Sequence, residues 1–67
     1  MITVIAYNTH EDRVAQKNGE EIGNATTRQE LDTHVDTAMR KYDGKVFLGY
    51  RDGDRVTTYN DAAIKLS

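Results

Sequence analysis

The chain has no cysteine, no proline and no tryptophan. Without cysteine, the fold can contain neither disulfide bonds nor a zinc site built on thiolates. No apolar run approaches the roughly 20 residues that a membrane-spanning helix needs, and the first residues lack the basic stretch that opens a secretory signal. We therefore expect a soluble, cytoplasmic protein that does not act at a membrane.

An excess of charge of one sign is also missing. Nine basic side chains stand against eleven acidic ones, which gives a formal net charge of −2. Proteins that bind polyanions or anionic membrane surfaces usually carry a clear positive excess. The composition therefore makes nucleic acid the less expected class of partner.

The length of the chain limits the size of its core. With 67 residues, we expect a single small domain that spans residues 1–67. Domains of this size rarely gain more than about 3–5 kcal/mol from one hydrophobic core. Stability must then come from a compact core with well-capped helices, or from association with a second copy or a larger partner. Although the mean hydropathy is only −0.74, the apolar residues are periodic, which favours a folded chain.

The first third of the chain predicts strands. Residues 2–7 are β-branched, aromatic or small on both alternating faces, which is typical of an interior strand. After a polar turn over residues 8–12, we expect a second strand over residues 13–17. The dipeptide Asn18-Gly19 is a strong hairpin signal, so residues 20–25 would form the return strand. A long polar loop over residues 8–25 is the alternative.

The middle of the chain predicts a helix over residues 28–42. Thr27 and Glu30 match a capping box, and four apolar side chains recur on one stripe at helical spacing. Gly44 is expected to end the helix in a left-handed conformation. The stripe consists of Leu31, Val35, Ala38 and Tyr42.

The last third predicts a hairpin followed by a short helix. Strands are expected over residues 45–51 and 55–59, joined through Asp52-Gly53. A two-residue loop would set Leu48 opposite Thr57, whereas a bulged three-residue loop would set Leu48 opposite Val56 and give a cleaner apolar face. We favour the bulged register. Asn60 would then cap a helix over residues 61–66, anchored by Ile64.

These elements predict an α+β fold of two layers. A small antiparallel or mixed sheet of four to five short strands would be covered on one face by the central helix at about 28–42, with the short helix at about 61–66 closing the chain. The opposite face of the sheet would remain partly open. Such an open face could meet a partner or a second copy of the chain.

No motif indicates catalysis, a metal ion or a cofactor. His10 and His34 lie far apart in sequence, and the consecutive residues 10–12 cannot converge on one ion. Ala63 stands where a calcium-binding loop that began at Asp52 would need its bidentate glutamate. The glycines fit neither phosphate-binding fingerprint, and the only serine is the final residue. We therefore expect no enzyme, no metal site and no cofactor.

The remaining hypothesis is a small protein-binding module, an inhibitor or adaptor that occupies the surface of a larger protein or nucleoprotein complex. Tyrosine and arginine dominate interface hot spots, and we expect the partner-binding residues to be Tyr50, Arg51, Arg55 and Tyr59. In size and lack of catalytic residues, the chain resembles the small inhibitors of phages and mobile elements, such as anti-CRISPR proteins. Single-stranded nucleic-acid binding by the same tyrosines and arginines is the alternative, and a homodimer is a third hypothesis.

Overall fold

The computed structural model describes residues 1–67, and its strand β1 (Ile2–Tyr7) lies inside a four-stranded antiparallel sheet. The strands β2 (Glu20–Ala25) and β3 (Phe47–Asp52) flank β1, and β4 (Arg55–Thr57) pairs with the outer side of β3. All six side chains of β1 are buried, with at most 8% of any of them exposed. The prediction of an interior strand over residues 2–7 is therefore confirmed.

Three helices accompany the sheet: α1 (His10–Ala15), α2 (Arg28–Lys41) and α3 (Tyr59–Lys65). The predicted α+β architecture and the central helix are confirmed. None of the helices combines the length and the apolar character that a bilayer crossing requires. Each helix begins with the same local pattern, a threonine cap whose hydroxyl accepts the backbone N–H three residues later, where the side chain is acidic.

The main core lies between one face of the sheet and the helices α2 and α3. It consists of six fully or almost fully buried side chains, which are Ile2, Val4, Ala25, Leu31, Ala62 and Ala63. Leu31 comes from the predicted apolar stripe of α2. The two alanines allow α3 to pack closely on the same face, and the partly buried Leu48, Tyr50 and Tyr59 surround the cluster.

The expected strand over residues 13–17 is wrong, because residues 13–15 belong to α1 and Gln16 is its left-handed C-cap. The Thr9 hydroxyl accepts the backbone N–H of Asp12 at 3.0 Å and starts the helix. Asn18-Gly19 therefore does not join two paired strands. Instead β2 pairs with β1, setting Ala25 opposite Ile2. Because β2 pairs with the fully buried β1, Ala25 becomes part of the core. An isolated hairpin of polar residues could not have buried Ala25 in this way.

The expected bulged register of the C-terminal hairpin is also wrong. Arg51 pairs with Val56 and Asp52 with Arg55, so the loop consists of Gly53 and Asp54, and Gly53 takes a φ of 65°. Neither register considered from the sequence occurs. The sequence favours the bulged register because it places Val56 on a common apolar face with Leu48, but Val56 is 57% exposed.

The final helix begins earlier than expected. Thr58, and not Asn60, is the N-cap, since its hydroxyl accepts the Asp61 N–H at 3.1 Å. This start turns Ala62 and Ala63 toward the core and leaves Ile64 73% exposed, so Ile64 is not the anchor of the helix. At the end of α2, Gly44 is left-handed as expected, with a φ of 74°, but Asp43 before it also has a positive φ.

A polar contact joins the start of β2 to the end of α2. The Glu20 carboxylate accepts hydrogen bonds from Lys41 Nζ at 2.8 Å and from the Tyr42 hydroxyl at 2.5 Å. The hydrogen bond from Lys41 first, and that from Tyr42 second, hold the pKa of Glu20 below its usual value. A lowered pKa in the folded state stabilises the protein above the pKa of the unfolded chain, and this stabilisation is lost as the pH falls through the folded pKa.

We predict that Glu20→Gln lowers the melting temperature at pH 6 and that the difference from the wild type shrinks toward pH 3. At low pH the wild-type carboxylate is itself protonated and loses the same interaction. Melting curves recorded across this pH range test the prediction. Glu11→Gln is the control, because Glu11 is exposed and forms no ion pair. If the difference in melting temperature between Glu20→Gln and the wild type stays constant with pH, the lowered pKa of Glu20 is contradicted.

Candidate binding groove

The second face of the sheet is built around the ring of Tyr7. A Cβ atom added at Gly19 would lie 2.6 Å from Tyr7 Cε1, and one added at Gly49 would lie 2.7 Å from Tyr7 Cε2. The Tyr7 ring therefore lies between the backbones of Gly19 and Gly49, and there is room for it only because neither residue has a side chain. Tyr7 is 4% exposed, and α1 covers part of this face. The second face is thus covered over β1 and stays open only beside it.

A groove of about 420 Å³ remains where α1 and the end of β4 leave the sheet uncovered. Its volume lies within the range of natural ligand sites. Four parts of the chain contribute, namely β1, α1, β3 and the segment from β4 into α3. The lining residues that define the groove are Ile5, Tyr7, His10, Arg13, Val14, Gln16, 48–51 and 56–59.

The groove reaches the edge of the sheet because β4 is short. β4 pairs with β3 only opposite residues 50–52, and the chain then leaves the sheet at Thr58 to start α3. Residues 47–49 of β3 therefore have a strand partner only on the β1 side. Successive residues of a strand point to opposite faces of the sheet. Since all of residues 48–51 line the cavity, the cavity contacts β3 from both faces, and it therefore extends around the edge of β3 next to β4.

The groove is positive although the protein as a whole is not. Its lining includes Arg13 and Arg51 and no carboxylate. The Arg51 guanidinium pairs with Glu21 at 3.1 Å. Arg13 has no acidic partner; it contacts His10 Nδ1 at 2.7 Å and lies over the ring of Phe47, 5.6 Å from its centroid.

Two tyrosine hydroxyls at the groove have no hydrogen-bond partner within the protein. The Tyr7 hydroxyl forms none, and because no fully buried side-chain oxygen lacks a partner, this hydroxyl retains contact with solvent. The Tyr50 hydroxyl is equally free. Partial burial is the main cause that raises the pKa of Tyr50, followed by the neighbouring Tyr59, while Arg13 acts in the opposite direction. The Tyr50 hydroxyl is therefore a protonated donor at neutral pH.

Exposed apolar side chains border the groove. Val14 of α1 is 69% exposed and Val56 of β4 is 57% exposed, and both line it. The Phe47 ring, 41% exposed, lies 6.1 Å from the ring of His10, which also lines the groove. Side chains of this type, placed beside a concave surface, are typical of an interaction site.

The structure brings together three of the four residues expected to bind a partner. Tyr50, Arg51 and Tyr59 line the groove, whereas Arg55 is exposed on β4 outside it. The Tyr50 and Tyr59 rings pack against each other at 5.8 Å in an edge-to-face arrangement. The Tyr59 hydroxyl donates to Asp32 at 2.5 Å, so these two rings also hold α3 against the rest of the protein.

The sequence analysis missed the contribution of α1. The sequence predicts a strand at Arg13 and Val14, and it offers Tyr7 only as one of three strand tyrosines, of which at least one should face the uncovered side of the sheet. Thr9 followed three residues later by Asp12 was the signal that could have revealed the helix. No group of three or more histidine, aspartate or glutamate side chains is placed to hold a metal ion.

Comparison with known proteins gave no relative, since no protein-family model, no curated protein and no solved structure is significantly similar to the chain. The geometry of the groove is thus the basis for any statement about function.

We predict that Gly49→Ala destabilises the protein by about 1–3 kcal/mol, because the added methyl group would push the Tyr7 ring out of its position. In a Tyr7→Leu background the same substitution should cost much less, since the ring is gone. Chemical denaturation of the wild type, both single variants and the double variant measures the coupling. Additive effects would show that the Tyr7 ring does not lie against Gly49.

Proposed function

We propose that the protein is a non-enzymatic, cytoplasmic binding module, an inhibitor or adaptor, that attaches to a larger protein through the groove. The observation that carries the proposal is the placement of Val14 and Val56, which are exposed apolar residues from two different elements that line one concave surface. Burying such side chains in an interface gains about 1 kcal/mol or more for each valine.

The composition of the groove supports a protein partner. It combines tyrosine, arginine and valine around a partly enclosed centre, with polar threonines at its margin. An aromatic and arginine-rich centre with a polar rim is the arrangement found in protein interfaces. The resemblance in size to small inhibitors of phages and mobile elements agrees with this function.

Nucleic-acid binding has less support at the same residues. Arg51 is paired with Glu21 and the Tyr59 hydroxyl with Asp32, and the Tyr50 ring packs on Tyr59. Stacking of single-stranded bases needs free aromatic faces and unpaired cations.

The test is a capture experiment with matched variants. Tagged wild-type protein, a Val14→Gln/Val56→Gln double variant and an Ile64→Gln variant are used as baits in lysate of the native host. We predict one stoichiometric protein partner for the wild type and for Ile64→Gln, and a loss of at least about tenfold for the double variant.

Ile64 is the matched control because it is also an exposed aliphatic residue, at 73%, but lies on α3 outside the groove. Circular dichroism must show that all three baits are folded. Equal capture by the double variant would move the interface away from the groove. A bound fraction that consists of nucleic acid, and disappears with moderate salt, would favour the alternative function.

A further inference from the structure

We infer that the groove binds an extended, acidic peptide segment that pairs with the free edge of β3 at residues 47–49. This inference rests on the proposed function and names the chemistry of the partner. It requires three properties of the groove: an unpaired strand edge, a positive lining without acids, and free hydrogen-bond donors.

The strand edge offers space for a peptide in line with β4. β3 has six residues, but β4 has three and pairs only with residues 50–52. At about 3.3 Å for each residue of a strand, residues 47–49 leave an edge of about 10 Å. The start of α3 at Thr58 prevents the chain from filling this edge itself. An added strand from a partner is a common way to use such an edge.

The charges select an acidic segment. No carboxylate lines the groove, and Arg13 is a cation without an acidic partner at its wall. A net charge of −2 means that the protein as a whole does not attract acidic peptides, so binding must depend on this local positive field. A glutamate on the face of the added strand that points toward α1 would meet Arg13, while its aliphatic part would contact Val14 and Val56.

Tyr7 supplies the second, independent observation. Its side chain is 4% exposed, lines the groove, and carries a hydroxyl that forms no hydrogen bond within the protein. The hydroxyl is the part of this residue that keeps contact with solvent, so a ligand in the groove can reach it. A carboxylate or backbone carbonyl of the bound segment would accept the hydrogen bond that the Tyr7 hydroxyl leaves unused.

The direct test measures fluorescence anisotropy with short labelled peptides in which valine alternates with glutamate, glutamine or lysine. We predict that the glutamate peptide binds most tightly and that added salt weakens it. Arg13→Gln should weaken this binding by about fivefold or more. Arg55→Gln should change it by less than about twofold, because Arg55, like Arg13, forms no salt bridge but lies outside the groove.

Backbone pairing is tested with two N-methylated forms of the same glutamate peptide. One form carries the methyl groups on the odd-numbered amides and the other on the even-numbered amides. At least one of the two should bind about tenfold more weakly, because it lacks the N–H groups that the β3 edge requires. If both methylated forms bind as tightly as the unmethylated peptide, the edge pairing is overturned. Equal affinity of the glutamate and glutamine peptides, or no saturable signal up to about 1 mM peptide, would overturn the acidic ligand.

Two further outcomes assign the groove to another occupant. A labelled oligothymidine that binds more tightly than the glutamate peptide, and loses affinity with Arg13→Gln, would overturn the inference in favour of single-stranded nucleic acid. A dimer detected by sedimentation and disrupted by Val56→Gln would assign the edge to a second copy. If capture of a protein partner from lysate depends on Val14 and Val56 while the peptides do not bind as predicted, the proposed function stands and only this inference is lost.

Discussion

The burial of β1 on both faces determines the rest of the structure. Its neighbour β3 pairs with all six of its residues, and β2 pairs with residues 2–6, with a register shift between Val4 and Ile5. On one face Ile2 and Val4 pack under α2 and α3, and on the other the Tyr7 ring occupies the space between Gly19 and Gly49. For a chain of this length, a strand that contributes apolar area to both faces is an efficient source of stability, because few other residues can be removed completely from water.

The groove follows from two local events rather than from a separate structural element. The Thr9 cap starts α1 directly after β1 and places Arg13 and Val14 on the second face. The Thr58 cap starts α3 after only three residues of β4 and leaves half of the β3 edge without a partner. Both caps gain hydrogen bonds for helix N-termini, and together they produce a concave, positively charged edge in a protein whose net charge is negative. The proposed binding surface is thus connected to the helix starts that stabilise the fold.

The sequence was informative where several independent signals agreed. For α2, the capping pair Thr27 and Glu30 and the apolar stripe with Leu31 coincide, and the predicted bounds differ from the structure by one residue. The pattern of threonine followed three residues later by an acid also occurs at Thr9 and Thr58. It was not recognised there, because a six-residue and a seven-residue helix leave little room for periodicity and because Asn18-Gly19 resembled a hairpin turn.

Strand pairing depends on burial between distant segments, so neither the choice of β1 as the partner of β2 nor the short pairing of β4 was visible in local patterns. Three of the four expected site residues line the groove because both tyrosines and Arg51 lie near the start of α3; Arg13 and Val14 depend on the helix that was missed.

Amide hydrogen exchange measured residue by residue tests the central claim, which is that β1 is the most completely enclosed segment of the protein. The account predicts that the amides of residues 3–7 exchange most slowly, through global unfolding, and that amides on the free edge of β3 at residues 47–49 exchange faster than those paired with β4. Exchange of the β1 amides at rates typical of loops, while α2 stays protected, would contradict the structure on which the groove and its proposed ligand depend.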